Sequence, residues 1–300
     1  MPPLAARLWA SPYLLLTLTS LMWGANAVAS RFAVGHIAPM ALTSLRWACV
    51  AAVLPFLLRK ELVAAAPELR AHWKLIVFLG IFGYTAFNAL MYLAAYSTTA
   101  INIGIIQGAI PVFVLIGAWA WFRTPISLLQ AAGVLVTILG VLIIAARGDF
   151  EVLKHLAVAT GDIWMLIACL FYAGYTLSLR QRPKVPGLVF FAALAVVAFI
   201  ISVPLLVAEI MTGHGYWPTL RGWLILLYVA IGPSFLSQIF FMRGVELIGP
   251  GRAGVFVNLV PVFAAILAVL ILSEPFAWYH GMALALVLGG IALAEKGKRG

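Results

Sequence analysis

Apolar residues run through this chain in blocks of about twenty, rather than in the alternation of a half-buried strand or the single stripe of a surface helix. Charged residues, Pro and Gly punctuate ten such blocks: residues 12–34, 39–58, 74–96, 99–122, 127–146, 162–180, 186–208, 222–244, 252–272 and 276–294. A helix of about 20 mainly apolar residues crosses the hydrocarbon layer of a bilayer, and the connections are too short for a soluble domain on either side. The pattern predicts an all-α polytopic membrane protein with ten transmembrane helices. The first apolar stretch, Tyr13 to Val34, exceeds the core of about 7 to 15 residues of a signal peptide and reads as a retained span.

Displacing the chain against itself by 150 residues, without gaps, brings Gly24 onto Gly174, Trp73 onto Trp223, Gly104 onto Gly254, Pro111-Val112-Phe113 onto Pro261-Val262-Phe263, Pro125 onto Pro275 and Gly140 onto Gly290. Pro and Gly matched at one unbroken offset point to an internal duplication, residues 1–150 and 151–300, with five spans in each repeat. An odd number of spans turns the second repeat upside down relative to the first. Inverted repeats place a substrate site near mid-membrane between the halves, and rocking of one half against the other switches access to it. Transport through a central cavity is the favoured class.

Composition agrees: 65% of the chain is hydrophobic and 9% is charged, against about 25% charged in soluble domains. The net charge of +10 would suggest a nucleic-acid partner in a soluble protein, but the basic residues are too few and too scattered to track phosphates, so the expected partners are the bilayer and a small-molecule substrate. With the N-terminus inside, loop parity puts 14 of the 19 basic residues on one side, from Arg7 through Arg59, Lys60, Arg70 and Lys74 to Lys296, Lys298 and Arg299. Arg31, Arg147, Lys154 and Arg221 fall on the other side. Cytoplasmic loops carry the excess, so both termini are expected in the cytoplasm. Cys49 and Cys169 lie in apolar runs and read as core hydrophobes; no spacing suggests a metal site or a disulfide framework, and no cofactor is expected.

Polar and irregular positions inside the spans are the candidate chemistry. Trp23, Asn26 and Ser30 follow i, i+3, i+7, and Tyr84, Asn88 and Tyr92 follow i, i+4, i+8, so each set forms one helical stripe. The sixth span offers Trp164, Phe171, Tyr172 and Tyr175, and the eighth offers Ser234, Ser237 and Gln238. Gln107 and Asn258 each sit within about one turn of a proline, Pro111 or Pro261. A substrate cavity is assigned to Trp23, Asn26, Tyr84, Asn88, Tyr92, Gln107, Trp164, Tyr175, Gln238 and Asn258. The competing reading is helix packing through amides and an interfacial aromatic belt, which Trp73, Trp121, Trp223 and Trp278 match by position.

Gly24, Gly174, Pro111 and Pro261 read as packing kinks or as hinges, and one residue can be both. Arg46, the one charge well inside a span, is grouped with them as structural or gating. Arg at a helix centre costs about 2.5–3.5 kcal/mol on insertion scales and should face the protein interior. Either it snorkels outward or pairs with Glu274 or Asp162, or it meets a substrate carboxylate. The acids fall in loops or at span ends, as do the five histidines, including His155. No group therefore stands at mid-membrane for a proton relay, which favours uniport or exchange. Gly104 and Gly108 at GxxxG spacing could pack helices within one chain or between two; oligomeric state is left open, and a monomer suffices.

Leu21-Met22-Trp23-Gly24-Ala25-Asn26 followed by Arg31, Pro39 and Arg46-Trp47 resembles the first two spans of the EamA-type transporters of the drug/metabolite transporter (DMT) superfamily. Asn258-Leu259-Val260-Pro261-Val262-Phe263, running on to Leu272-Ser273-Glu274-Pro275, is similar to the ninth-span motif of that family. The resemblance covers essentially the whole chain and looks closest to the YddG-type exporters of aromatic amino acids and methyl viologen. It implies a ten-helix bacterial inner-membrane carrier with a basket-like cavity and peripheral fifth and tenth spans. One departure is that Glu274 aligns with Thr124 in the first repeat, so any role of this acid is one-sided.

The expected function is export of amino acids, aromatic and other neutral ones favoured, and of related metabolites by alternating access. The alternatives are a multidrug or organic-cation exporter, such as one for methyl viologen, or a membrane enzyme. An enzyme would need a nucleophile with its base, or a metal cluster, at one depth, and neither is evident; the chain is expected not to be an enzyme.

Overall fold

The computed structural model describes residues 8–149, 151–154 and 158–297; Arg7, His155, Lys298 and Arg299 lie outside them. Among the described residues the regular structure is helical, and nine helices are long and apolar enough to cross a membrane. These are α2 (Pro39–Leu57), α4 (Trp73–Ala94), α5 (Ala100–Phe122), α6 (Leu128–Ala145), α7 (Thr160–Gln181), α8 (Gly187–Met211), α9 (Leu220–Ile248), α10 (Arg252–Leu272) and α11 (Trp278–Lys296). Helix α1 (Pro12–Ala33) has 22 residues, but Thr17, Thr19, Ser20, Asn26, Ser30 and Arg31 dilute its hydropathy. Thr19, Ser20, Asn26 and Ser30 are buried, so its polarity is turned onto neighbouring helices.

The segment between the second and third apolar blocks, which the sequence pattern leaves as a loop, is a helix, α3 (Arg59–Ala71), of 13 residues. At 1.5 Å per residue it reaches ~20 Å, too short to cross a bilayer. Leu62 and Leu69, seven residues apart, pack on the core, while Arg59, Lys60, Glu61, Glu68 and Arg70 make the rest of it polar. Cys169 is buried as expected, but Cys49 is exposed on the outside of α2, where a small apolar thiol suits lipid as well as core. Trp73, Trp121, Trp223 and Trp278 are all exposed, at or near helix ends.

Local chemistry accounts for the helix ends. Pro opens α1 and α2, where its missing N–H costs nothing. Thr99, Ser127 and Thr219 cap α5, α6 and α9 through their hydroxyls. Gln130 returns its side chain to the Ser127 N–H at 2.9 Å, completing a capping box.

Small residues set the closest crossings. A Cβ on Gly133 would stand 2.5 Å from the Gly290 carbonyl oxygen and 2.7 Å from the Ala294 nitrogen, so α6 and α11 touch backbone to backbone, and each packs chiefly on the other. Lipid tails are as apolar as the side chains, so close van der Waals contact of this kind holds membrane helices together. Gly104 and Gly108 are used within the chain, Gly104 against Ala264 and Gly108 against Val287 and Pro261. Elsewhere α1 lies on α9 and α10, α7 lies on α4 and α5, and α2 lies on α8.

Two pairs of irregularities shape the middle of the molecule. Helix α5 is interrupted between Gln107 and Ile110, and α10 between Val257 and Val260. Pro111 and Pro261 follow these breaks and have no N–H for the carbonyl four residues back. Helices α4 and α9 each contain a π-helical turn, Gly80–Ala86 and Ala230–Leu236. Breaks, π turns and the left-handed residues Arg123 and Ser273 that end α5 and α10 all recur at the 150-residue offset. Ala100–Gln107 packs against Val260–Leu272, but past the breaks Ile110–Phe122 turns to α7 while Pro250–Val257 turns to α1 and α9. The two broken helices thus form a fork, joined at the α5 N-terminus and parted at the other end.

Polar contacts fasten the joined end. Glu274 accepts from the Ala100 and Ile101 nitrogens at 2.9 and 3.1 Å, and Glu209 accepts from the Met40 and Ala41 nitrogens at 3.0 and 3.1 Å. Each carboxylate meets the positive end of a helix. Asp162 accepts from Thr98 Oγ1 and from Asn102 Nδ2 at 3.2 Å, and the Tyr96 and Tyr216 hydroxyls meet at 2.9 Å.

Candidate functional site: a cavity at the fork

A cavity of about 130 Å³ sits where the fork parts, lined by α1, α2, α4, α5, α7, α9 and α10. Irregular backbone at membrane depth is tolerated where it lines a cavity or is buried in protein, and both helix breaks and both π turns contribute lining residues. Seven of the ten residues assigned to the cavity from sequence line it: Trp23, Asn26, Tyr84, Asn88, Gln107, Gln238 and Asn258. Pro111, Pro261 and Arg46 line it as well.

Three assigned residues stand elsewhere. Tyr92, 2% exposed, lies behind the wall, where its hydroxyl accepts from Arg46 Nη1 and donates to Asn26 Oδ1 at 3.5 Å. Tyr175 backs Tyr84, ring edge to ring face at 5.6 Å with the hydroxyls 3.4 Å apart. Trp164 is 38% exposed, in the second turn of α7 and about 16 Å along the helix from Tyr175 by helical rise. Tyr172 is the α7 side chain that reaches the cavity.

Gly24 marks the closest approach of α1 to α10, since a Cβ there would stand 2.9 Å from the Val260 oxygen, the Ala264 nitrogen and the Phe263 Cβ. Gly174 has nothing within 4 Å of its Cβ position.

Arg46 is 3% exposed and pairs with neither Glu274 nor Asp162, whose oxygens are engaged at the joined end. Its Nε donates to Ser234 Oγ at 2.8 Å, and its Nη1 donates to Asn88 Oδ1 at 2.6 Å and to Tyr92. The guanidinium carbon lies 5.1 Å from the centre of the Trp47 ring and 5.8 Å from that of Tyr92, a geometry in which the ring quadrupole favours a cation. The π turns make this possible: Ser234 lies inside one, its hydroxyl donating five residues back to Val229 at 2.6 Å, and Tyr84 lies inside the other, its carbonyl accepting from Asn88 Nδ2 at 2.5 Å.

The sequence reading missed Trp47, Gly83, Phe87, Met91, Gly108, Ile110, Pro233, Val257 and Val260 in the lining. Phe87 and Met91 fall at i+3 and i+7 from Tyr84, on the stripe already drawn through Asn88, and extending that stripe to apolar residues finds them. Met91 Sδ lies 3.7 Å from Asn26 Nδ2 and 3.5 Å from Gln107 Nε2, linking three lining helices. Among the described residues the lining holds no Asp, Glu or His, and no group of three or more His, Cys, Asp or Glu could hold a metal ion.

Known proteins share this architecture. A solved crystal structure is similar over 95% of this chain and 96% of its own, with a TM-score of 0.63 at 20% identity, a likeness of fold. An uncharacterized transporter of Bacillus subtilis (strain 168), YyaM, is 26% identical over 295 residues, covering 94% of this chain and 93% of its own. An uncharacterized transporter of Methanothermobacter thermautotrophicus is 23% identical over 303 residues, covering 95% and 85%. The model of the EamA-like transporter family matches twice, at residues 10–146 and 159–295. The chain therefore belongs to the EamA-like transporter family of the DMT superfamily and is a multi-pass membrane transporter.

Proposed function

We propose that the protein exports amino acids, aromatic and other neutral ones foremost, from the bacterial cytoplasm across the inner membrane, with both termini cytoplasmic. Its ten spanning helices form two inverted five-helix repeats, 1–150 and 151–300, that alternate access to the central cavity. The observation that carries the substrate reading is the cavity wall: five amides (Asn26, Asn88, Gln107, Gln238, Asn258), the aromatic faces of Trp23, Trp47, Phe87 and Tyr172, and Arg46 as the one charge among the described lining residues. Such a wall hydrogen-bonds a zwitterion while enclosing an apolar side chain. The guanidinium disfavours the organic-cation alternative, which calls for an acid at the same place.

The recurrence of breaks and π turns at one offset, and the two family matches, support the repeat. The fork parts toward the end that carries Arg123, Arg180 and Arg252, the basic and hence cytoplasmic side, from which an exporter loads. With no titratable carboxylate or imidazole in the described lining, transport runs as uniport or exchange.

Counterflow in proteoliposomes tests the substrate class. Vesicles loaded with unlabelled phenylalanine, tryptophan or leucine should accumulate the labelled form transiently above equilibrium. No acceleration over empty vesicles for any amino acid, with a known carrier active in parallel, overturns the reading.

A further inference from the structure

Two hydrogen-bond donors beside the cavity are left unused by the protein, one open to it and one sealed behind its wall. Arg46 Nε and Nη1 are taken by Ser234, Asn88 and Tyr92, but Nη2 has no partner among the described residues. All the acceptors it does have are neutral, so the positive charge meets no carboxylate. The next residue, Trp47, is 2% exposed, and its Nε1 is buried with no acceptor. Both residues line the cavity and their side chains are stacked.

Buried polar groups are normally paired, and an unpaired one in a native site calls for an explanation. Here the buried orphan is the Trp47 indole N–H, whereas the free guanidinium arm of the adjacent residue is not among the buried unpaired atoms and is open to the cavity. What satisfies a free guanidinium arm in a cavity is a negatively charged oxygen acceptor. The three fixed bonds hold the guanidinium plane, so its free arm is positioned before any ligand arrives.

We infer that Arg46 forms the carboxylate subsite of the cavity, with its free guanidinium arm as the donor and the Trp47 ring stacked against it. The ligand class is a small monocarboxylate whose body lies along Phe87 and Tyr172 and whose amino group meets amide oxygens across the cavity. This rests on the proposed use of the cavity for amino acids and sharpens it: the carboxylate becomes the required group, and the side chain a variable one.

Competition separates the two claims. Counterflow of labelled phenylalanine by the wild type should be inhibited at least about tenfold better by unlabelled phenylalanine than by phenylalaninamide, which keeps the ring and amine but has no carboxylate. Arg46→Gln should erase that preference, and Arg46→Lys should retain part of it. If Arg46→Gln does not fold, the wild-type comparison and Arg46→Lys still decide. Exchange by the wild type with equal inhibition by acid and amide, or an unchanged preference in folded Arg46→Gln, overturns the subsite and leaves the amino-acid reading standing. Failure of the wild type to exchange any amino acid overturns that reading itself.

Discussion

At the scale of the residue, the buried guanidinium organises the site. Arg46 binds α2 to α4 through Asn88 and Tyr92, and α2 to α9 through Ser234, so one side chain joins helices from both ends of the chain. A charge at this depth is tolerated because each bond it makes is charge-assisted. Removing one acceptor should be costly. Asn88→Ala leaves Nη1 short of a partner and is expected to destabilise the protein by about 1–3 kcal/mol, read as a lower midpoint of thermal unfolding in detergent. An unchanged midpoint would mean that Asn88 does not hold the guanidinium.

At the scale of the element, the spans were legible in the sequence because the bilayer dictates their length, and the apolar blocks agree with the helices to within a few residues. The amides near Pro111 and Pro261 were legible too, since polar groups at membrane depth are scarce and stand out. Two things were hidden. Apolar lining residues such as Val257, Val260 and Ile110 carry no signal, because a membrane helix is apolar on its lipid face as well as its buried one. The π turns were invisible because a tertiary partner helps to hold the wider turn: Ser234 bonds back to Val229 within its own helix and accepts from Arg46 of α2. Pro233, which cannot donate a backbone N–H, was the available hint in α9.

The crossing of α6 and α11 provides a test at this scale. Gly133→Leu must force apart two backbones and should lower stability by about 1–3 kcal/mol or more. Gly289→Ala, beside the crossing with nothing within 4 Å, should be neutral or slightly stabilising. Fluorescence-detected size exclusion after heating compares the two, and equal effects would refute the close-packing account.

At the scale of the whole molecule, the two halves are alike in sequence landmarks and unlike in packing. Gly24 is pressed against α10, while Gly174, 150 residues on, faces open space; Gly104 is pressed against Ala264, while Gly254 faces open space. On the alternating access proposed for two inverted repeats, the other state exchanges these environments: the joined end parts and the forked end closes. Gly174 then takes the tight position against Ile110–Val114 that Gly24 now takes against Val260–Ala264. A large residue at Gly174 fits the present state and obstructs the other.

Spin labels on Trp121→Cys and Val255→Cys, exposed positions on the two prongs of the fork, report its opening once Cys49 and Cys169 are replaced by alanine. In lipid bilayers, pulsed electron resonance of the otherwise unmodified protein should give a long and a short distance, and Gly174→Leu should give the long one alone. A single distance, the same in both proteins, would contradict the claim that the halves exchange open and closed packing around the cavity.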